Sequence, residues 1–279
     1  MNTLTTVVVA FNTLANALGQ LLTPIAWLPD WLSLTLIAGL TGLGMLLAFK
    51  YTSNQRAIAQ IRRDIRANLL TIRLFRENLR VALTAQARLI VAALRLLGHA
   101  LIPMAVLTVP MIFLLAQLAL WYQLAPLPVG AETVITITLA GPTETPLPVV
   151  ILLDNDAIED VSGPVRITSQ RQVCWCIRAK QPGYHTLQFD LEGQRYEKQI
   201  AIGEGVMRVS PQRPSRHWSE VLLYPWETPF PRESLVQAIT IEHPQRSSWI
   251  AGTDSWIVYW FLISLVAAFC LRGFLRVHI

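Results

Sequence analysis

Residues 31–49 read WLSLTLIAGLTGLGMLLAF, and Lys50 follows at once. This uncharged run decides the fold, because at about 1.5 Å per residue it nearly matches a hydrocarbon core of about 30 Å. Lys50 then serves as an anchor on the cytoplasmic side. No basic stretch precedes the run, which argues against a cleaved signal. The whole chain is shifted the same way: 53% of its 279 residues are hydrophobic and 15% are charged, against about 25% charged in soluble domains.

Outward from that span, residues 1–30 are apolar but interrupted by Asn12, Asn16, Pro24, Pro29 and Asp30. They read as an amphipathic helix at the outer interface rather than a further span, with Pro29-Asp30 turning the chain into the membrane. Residues 51–96 lack Gly and Pro and place Ile58, Ile61, Ile65, Leu69, Ile72, Leu79 and Leu83 close to heptad spacing. A straight helix of this length would reach about 70 Å from the membrane. Both ends must meet the same face, so a coiled-coil-like antiparallel hairpin turning near Arg76-Glu77-Asn78 is expected. Arg56, Arg62, Arg63, Arg66 and Arg73 lie largely off the apolar stripe, either as contacts for anionic lipid or a charged partner or as the solvated face of a coiled coil that only obeys the positive-inside rule. Residues 97–122 form a second span containing Pro103, Pro110 and Gln117, with Trp121 and Tyr122 at its outer end.

Residues 123–130 are a stiff linker. Short alternating stretches follow at Thr133–Leu139, Val149–Leu153, Val165–Thr168, Val173–Ala179, His185–Leu191, Tyr196–Ile202, Val206–Val209 and Leu235–Ile241. Turn pieces such as Gln181-Pro182-Gly183 and Glu192-Gly193 separate them, which suggests an immunoglobulin-like β-sandwich. Pro211–Pro231 reads as irregular; within it WSEVLLYPWETPF (218–230) suits either a membrane-surface contact or a loop over the β domain. Trp256–Leu271 is the third span, with Trp249, Trp256 and Trp260 at its outer end and a tail containing Arg272 and Arg276 inside.

The expected fold is therefore an integral membrane α-helical chain with three transmembrane helices, a cytoplasmic helical hairpin and an extracytoplasmic all-β sandwich. Its parts are an interfacial helix (1–30), a first span (31–50), the basic hairpin (51–96), a second span (97–122), the β domain (123–254), a third span (255–272) and a cytoplasmic tail (273–279). Charge asymmetry sets the orientation in the cell (inner or plasma) membrane. Residues 50–98 hold ten Lys/Arg against Asp64 and Glu77, whereas 122–253 hold eleven against fourteen Asp/Glu. This basic charge sits between two spans, so no DNA partner is expected despite a net charge of +5.

Catalytic signatures are missing. The histidines at 99, 185, 217, 243 and 278 lack metal-ligand spacing, and there is no HExxH, phosphate-cradling Gly-rich loop or Gly-x-Ser-x-Gly elbow. The acids Asp154, Asp156, Glu159 and Asp160 lack the glycine and terminal glutamate of an EF-hand loop. Cys174 and Cys176 flank Trp175 on one strand face, a poor geometry for a disulfide. No enzyme activity and no cofactor are expected.

In the order of its parts, residues 11–122 resemble the YidC/Oxa insertase superfamily, and its three-helix branch in particular. The matching parts are FNTLANALGQLLTPIAWLPDW, GLGMLLAFKYTSNQ, a cytoplasmic hairpin and LIPMAVLTVPMIFLLAQLALWY. The chain departs from that pattern in placing a whole β domain between its second and third spans. The resemblance implies a hydrophilic groove that shelters polar client segments; Lys50, Asn54 and Gln117 match groove positions by location. It implies membrane lipids, nascent membrane proteins or the ribosome as partners. The competing expectation is a non-catalytic accessory subunit whose β domain binds an envelope protein.

Overall fold

The structure is a computed structural model and describes residues 3–20, 28–74, 79–231, 233–246 and 255–275. The expected hairpin turn at Arg76-Glu77-Asn78, Trp249 and Arg276 lie outside the described residues. The chain divides into two units, Met1–Ser33 with Phe113–Val258, and Leu34–Ile112 with Tyr259–Ile279.

The first unit is built on two antiparallel sheets. Strands β1 (Glu132–Leu139), β2 (Val150–Leu152), β3 (Ile158–Ile167), β4 (Gln172–Ala179), β5 (Gly183–Leu191), β6 (Gln194–Ile202), β7 (Gln212–Arg213) and β8 (Val236–Ile241) form them. The larger sheet runs β3-β4-β1-β8-β7 and the smaller β2-β5-β6. Alternation explains the layering: Ile135, Ile137 and Leu139 on β1 and Val173, Trp175 and Ile177 on β4 all point inward. They meet Leu187, Phe189, Tyr196 and Ile200 of the other sheet in one core, with the Trp175 and Phe189 rings 5.8 Å apart. Edge strand β3 is interrupted by register shifts around Ser162 and carries Pro164, both of which discourage pairing with another chain.

Helix α1 (Thr3–Gln20) belongs to this unit, and its sidedness is inverted relative to a soluble helix. Thr5 and Asn12 are buried, while Leu4, Val7, Phe11 and Leu14 are 61%, 51%, 50% and 60% exposed. The polar face is held by the segment 216–226: Asn12 Nδ2 donates to the Val221 carbonyl (2.7 Å) and Asn16 Nδ2 to that of Pro225 (2.9 Å). The stretch Pro211–Pro231, expected to be irregular, contains β7 and a short helix α5 (Trp218–Leu223) packed on α1. The strand expected at Val206–Val209 is a loop instead. The Val209 N–H donates to the Leu120 carbonyl at a helix end, not to a neighbouring strand.

In the second unit α2 (Asp30–Thr52) ends where Asn54 starts α3 (Gln55–Leu74), Asn54 Oδ1 accepting the Ala57 N–H at 3.1 Å. The helical stretch expected from residue 51 therefore breaks at Ser53-Asn54. Helix α4 (Leu79–Tyr122) then runs without interruption through Pro103 and Pro110. On α2, Leu34, Ala38, Gly42 and Leu46 recur every fourth residue and are buried, and helix α6 (Ser255–Leu271) approaches this face closely at Gly42. A Cβ on Gly42 would collide with the backbone carbonyl of Ser264, and Thr35 bonds Tyr259 at 2.7 Å. This close small-residue contact is how helices associate where lipid gives no hydrophobic drive.

Among the described residues two helical stretches are long and apolar enough to cross a membrane, Trp31–Thr52 and Leu83–Tyr122. Trp256 and Trp260, expected at the outer end of the third span, are 1% and 4% exposed. The Tyr122 ring lies 6.4 Å from that of Trp256, and its hydroxyl donates to Ser33 Oγ (2.9 Å).

Burial also sets a pH response. His243, just beyond β8, loses solvent around its ring; its Nδ1 bonds the Ile241 carbonyl (3.0 Å) and Nε2 has no partner. Desolvation, opposed by that carbonyl and aided by Lys198, holds its pKa down at about 4. The unfolded chain thus binds the extra proton first, so stability present above about pH 6.5 is lost as pH falls toward 4. In detergent-solubilised protein the wild type should lose up to about 3 kcal/mol more than His243→Leu between pH 7 and pH 4. Parallel unfolding curves across that range would refute the assignment.

Candidate functional site

Two arrangements bring chemically active side chains together, one in each unit. In the first unit they centre on Arg208, which sits in the loop after β6 and is 5% exposed. Its Nη2 donates to Asn16 Oδ1 (2.7 Å) and to Gln117 Oε1, and its guanidinium lies 3.8 Å over the Trp226 ring. Gln117 Nε2 also donates to Asn16 Oδ1 (3.0 Å). Burial lowers the Arg208 pKa to about 10, with Tyr184 opposing, so the side chain remains cationic. Trp226 Nε1 donates to Gln199 Oε1 at 2.5 Å.

A buried ion pair adjoins this hub. Lys198 is fully buried on the inward face of β6, beside Tyr196 and Ile200. Its Nζ donates to Glu227 Oε1 (2.5 Å), the Ser210 carbonyl (2.7 Å) and the Gln199 carbonyl (3.0 Å). Glu227 also accepts from the Gln199 N–H and Ser210 Oγ. Desolvation pulls the Lys198 pKa down and Glu227 opposes it. The hub and the ion pair tie α1, the end of α4 and the loop after β6 to the sheets.

In the second unit α3 and α4 face each other across an open cleft of about 570 Å³. Ile61, Val91 and Ala92 supply its apolar lining; Arg88 and Arg95 stand on α4, and Asp64 and Asn68 on α3. Ile61 is buried, and elsewhere on the two helices Leu69, Leu70, Leu74 and Leu83 are 51%, 58%, 74% and 58% exposed. The cleft thus offers apolar surface bordered by cations, a chemistry suited to an apolar helix with acidic flanks.

The residues expected to share a groove are placed as follows. Gln117 bonds Asn16 and Arg208; Lys50 Nζ donates to the Leu275 carbonyl (3.1 Å), in the turn beyond α6; Asn54 caps α3. Among the described hydrogen bonds these three share no partner. Arg56, Arg63, Arg66 and Arg73 are exposed on α3 and Arg62 is half-buried, and the described ion pairs include none of them. Arg208, Asn16, Lys198 and Glu227 were not singled out from sequence. Lys198 had a signal, since alternation through Tyr196, Ile200 and Ile202 places it inward. Comparison with protein-family models, curated proteins and solved structures returns no match.

Proposed function

We propose that this chain is a multi-pass membrane protein that assists the insertion or folding of apolar segments, in the manner of an insertase or membrane chaperone. The observation that carries the reading is the continuity of α4. Its first turns border the cationic cleft, and the same unbroken helix then exposes Leu94, Leu97, Leu101, Ile102, Met104 and Val109. Only 11% of its most apolar window is buried, the opposite of a soluble core helix. A client segment held between α3 and α4 would find a continuous apolar track leading into lipid. A polar or acidic flank would meet Arg88 and Arg95, which would hold the client at the membrane entrance. In this reading α2, α4 and α6 span, α1 lies in the interface, and an immunoglobulin-like β domain stands outside with α3 in the cytoplasm.

A second reading, a non-catalytic accessory subunit that binds an envelope protein through the β domain, is favoured by a different observation. The α2–α6 seam is apolar and close, and Gln117 is already satisfied by Asn16 and Arg208. Site-specific photo-crosslinking from Val91 in the full-length chain separates the two. The client-handling reading expects a heterogeneous set of adducts to newly made membrane proteins, abolished when translation is stopped. One discrete adduct that persists without translation would overturn it in favour of the accessory subunit.

A further inference from the structure

We infer that the pair α1–α5 carries a binding site for one anionic phospholipid, with Arg216 and His217 on the phosphate and the apolar stripe of α1 beneath the acyl chains. This rests on the membrane placement proposed above but not on any role in handling clients. Three observations converge. First, packed α1 and α5 both leave large apolar side chains open: Leu4, Val7, Phe11 and Leu14 on α1, and Trp218 and Leu223 on α5, the last two 44% and 62% exposed. A helix whose polar face is spent on the protein and whose apolar face is open suits burial at the boundary of headgroups and chains.

Second, a cleft of about 610 Å³ opens beside this pair, lined in part by Thr5, Ser215, Arg216, His217, Trp218 and Glu220. Thr5 neighbours Leu4 in sequence and donates to the Arg216 carbonyl (3.4 Å), so the cleft begins where the apolar stripe begins. Third, Arg216 and Glu220 both line this cleft, but the carboxylate is engaged by Ser215 while the cation is left open. Glu220 Oε2 is occupied by the Ser215 N–H (3.0 Å) and Oγ (2.8 Å), and the ion pairs among the described residues include neither Arg216 nor Glu220. The Arg216 guanidinium is exposed and can take a phosphate in a two-pronged bond. His217 is exposed, its Nδ1 engaged by Ser219 Oγ (2.8 Å), which leaves Nε2 for the ligand. Trp218 next to them is the residue type that settles at headgroup depth. A zwitterionic lipid would bring its own cation against Arg216, so the site discriminates for net negative headgroups.

The test uses the full chain purified in a neutral detergent. Native mass spectrometry would score retained dioleoyl phosphatidylglycerol against dioleoyl phosphatidylcholine for the wild type, Arg216→Gln/His217→Gln and Arg216→Lys. The wild type should retain one phosphatidylglycerol in preference to phosphatidylcholine. The double variant should weaken that retention about tenfold, the scale of losing charge-assisted hydrogen bonds, with an unchanged melting temperature. Arg216→Lys should keep part of the preference. Equal retention of both lipids, or a double variant that binds like the wild type, would overturn the site. Displacement of the lipid by millimolar inorganic phosphate would overturn the lipid assignment in favour of a soluble anion. Full solubility of the chain without detergent would instead remove the membrane placement itself.

Discussion

Gly42→Ala should destabilise the protein by about 3 kcal/mol or more, although it adds one methyl group to a helix. The added carbon would fall inside the contact distance of the Ser264 carbonyl, a backbone atom that cannot swing aside as a side chain can. Relief requires α2 and α6 to separate, which strains the Thr35–Tyr259 hydrogen bond. Gly42→Leu should prevent stable packing altogether. Gly39 and Gly44 on the same helix are internal controls, because nothing lies within 4 Å of a Cβ at either. Alanine there should be neutral or stabilising by up to about 1 kcal/mol through helix propensity. Thermal unfolding in detergent reads the contrast, and a Gly42→Ala melting curve that overlays that of Gly44→Ala would disprove the close approach.

Glu227→Leu should cost about 3–5 kcal/mol, because it leaves Lys198 as a buried charge without its counter-ion. The ammonium would keep two backbone carbonyls but lose the carboxylate that opposes its desolvation. A lysine whose folded pKa is depressed binds fewer protons folded than unfolded. Stability therefore rises with pH up to the unfolded value of about 10.4, and the deficit of Glu227→Leu should narrow as pH rises toward about 10. Lys198→Met/Glu227→Leu should recover most of the loss, since removing both members of a buried pair is commonly close to neutral. A single variant within about 1 kcal/mol of the wild type would show that Lys198 is neutral in the folded protein.

The two long apolar stretches were legible because composition alone marks them, and strands β1, β4, β5, β6 and β8 because alternation and turn residues agree. Gly183 and Gly193 take positive φ, as the turns read from sequence require. Val206–Val209 failed for a physical reason: its apolar residues serve a loop whose backbone bonds the end of α4, and strand patterning cannot separate that from a sheet partner. The Arg208 hub was not legible at all. Its partners Asn16 and Gln117 lie 192 and 91 residues away, so no local spacing could join them.

The docking of α1 also carries a schedule. Asn12 and Asn16 bond to carbonyls 209 residues further along the chain. At synthesis rates of about 5–20 residues per second, α1 waits roughly 10–40 s before those partners exist. Through that interval both its amides and its apolar stripe must be satisfied by something other than this polypeptide. Helix α1 cannot reach its final place before residues 216–226 are translated, and a pause or truncation upstream of them would strand it.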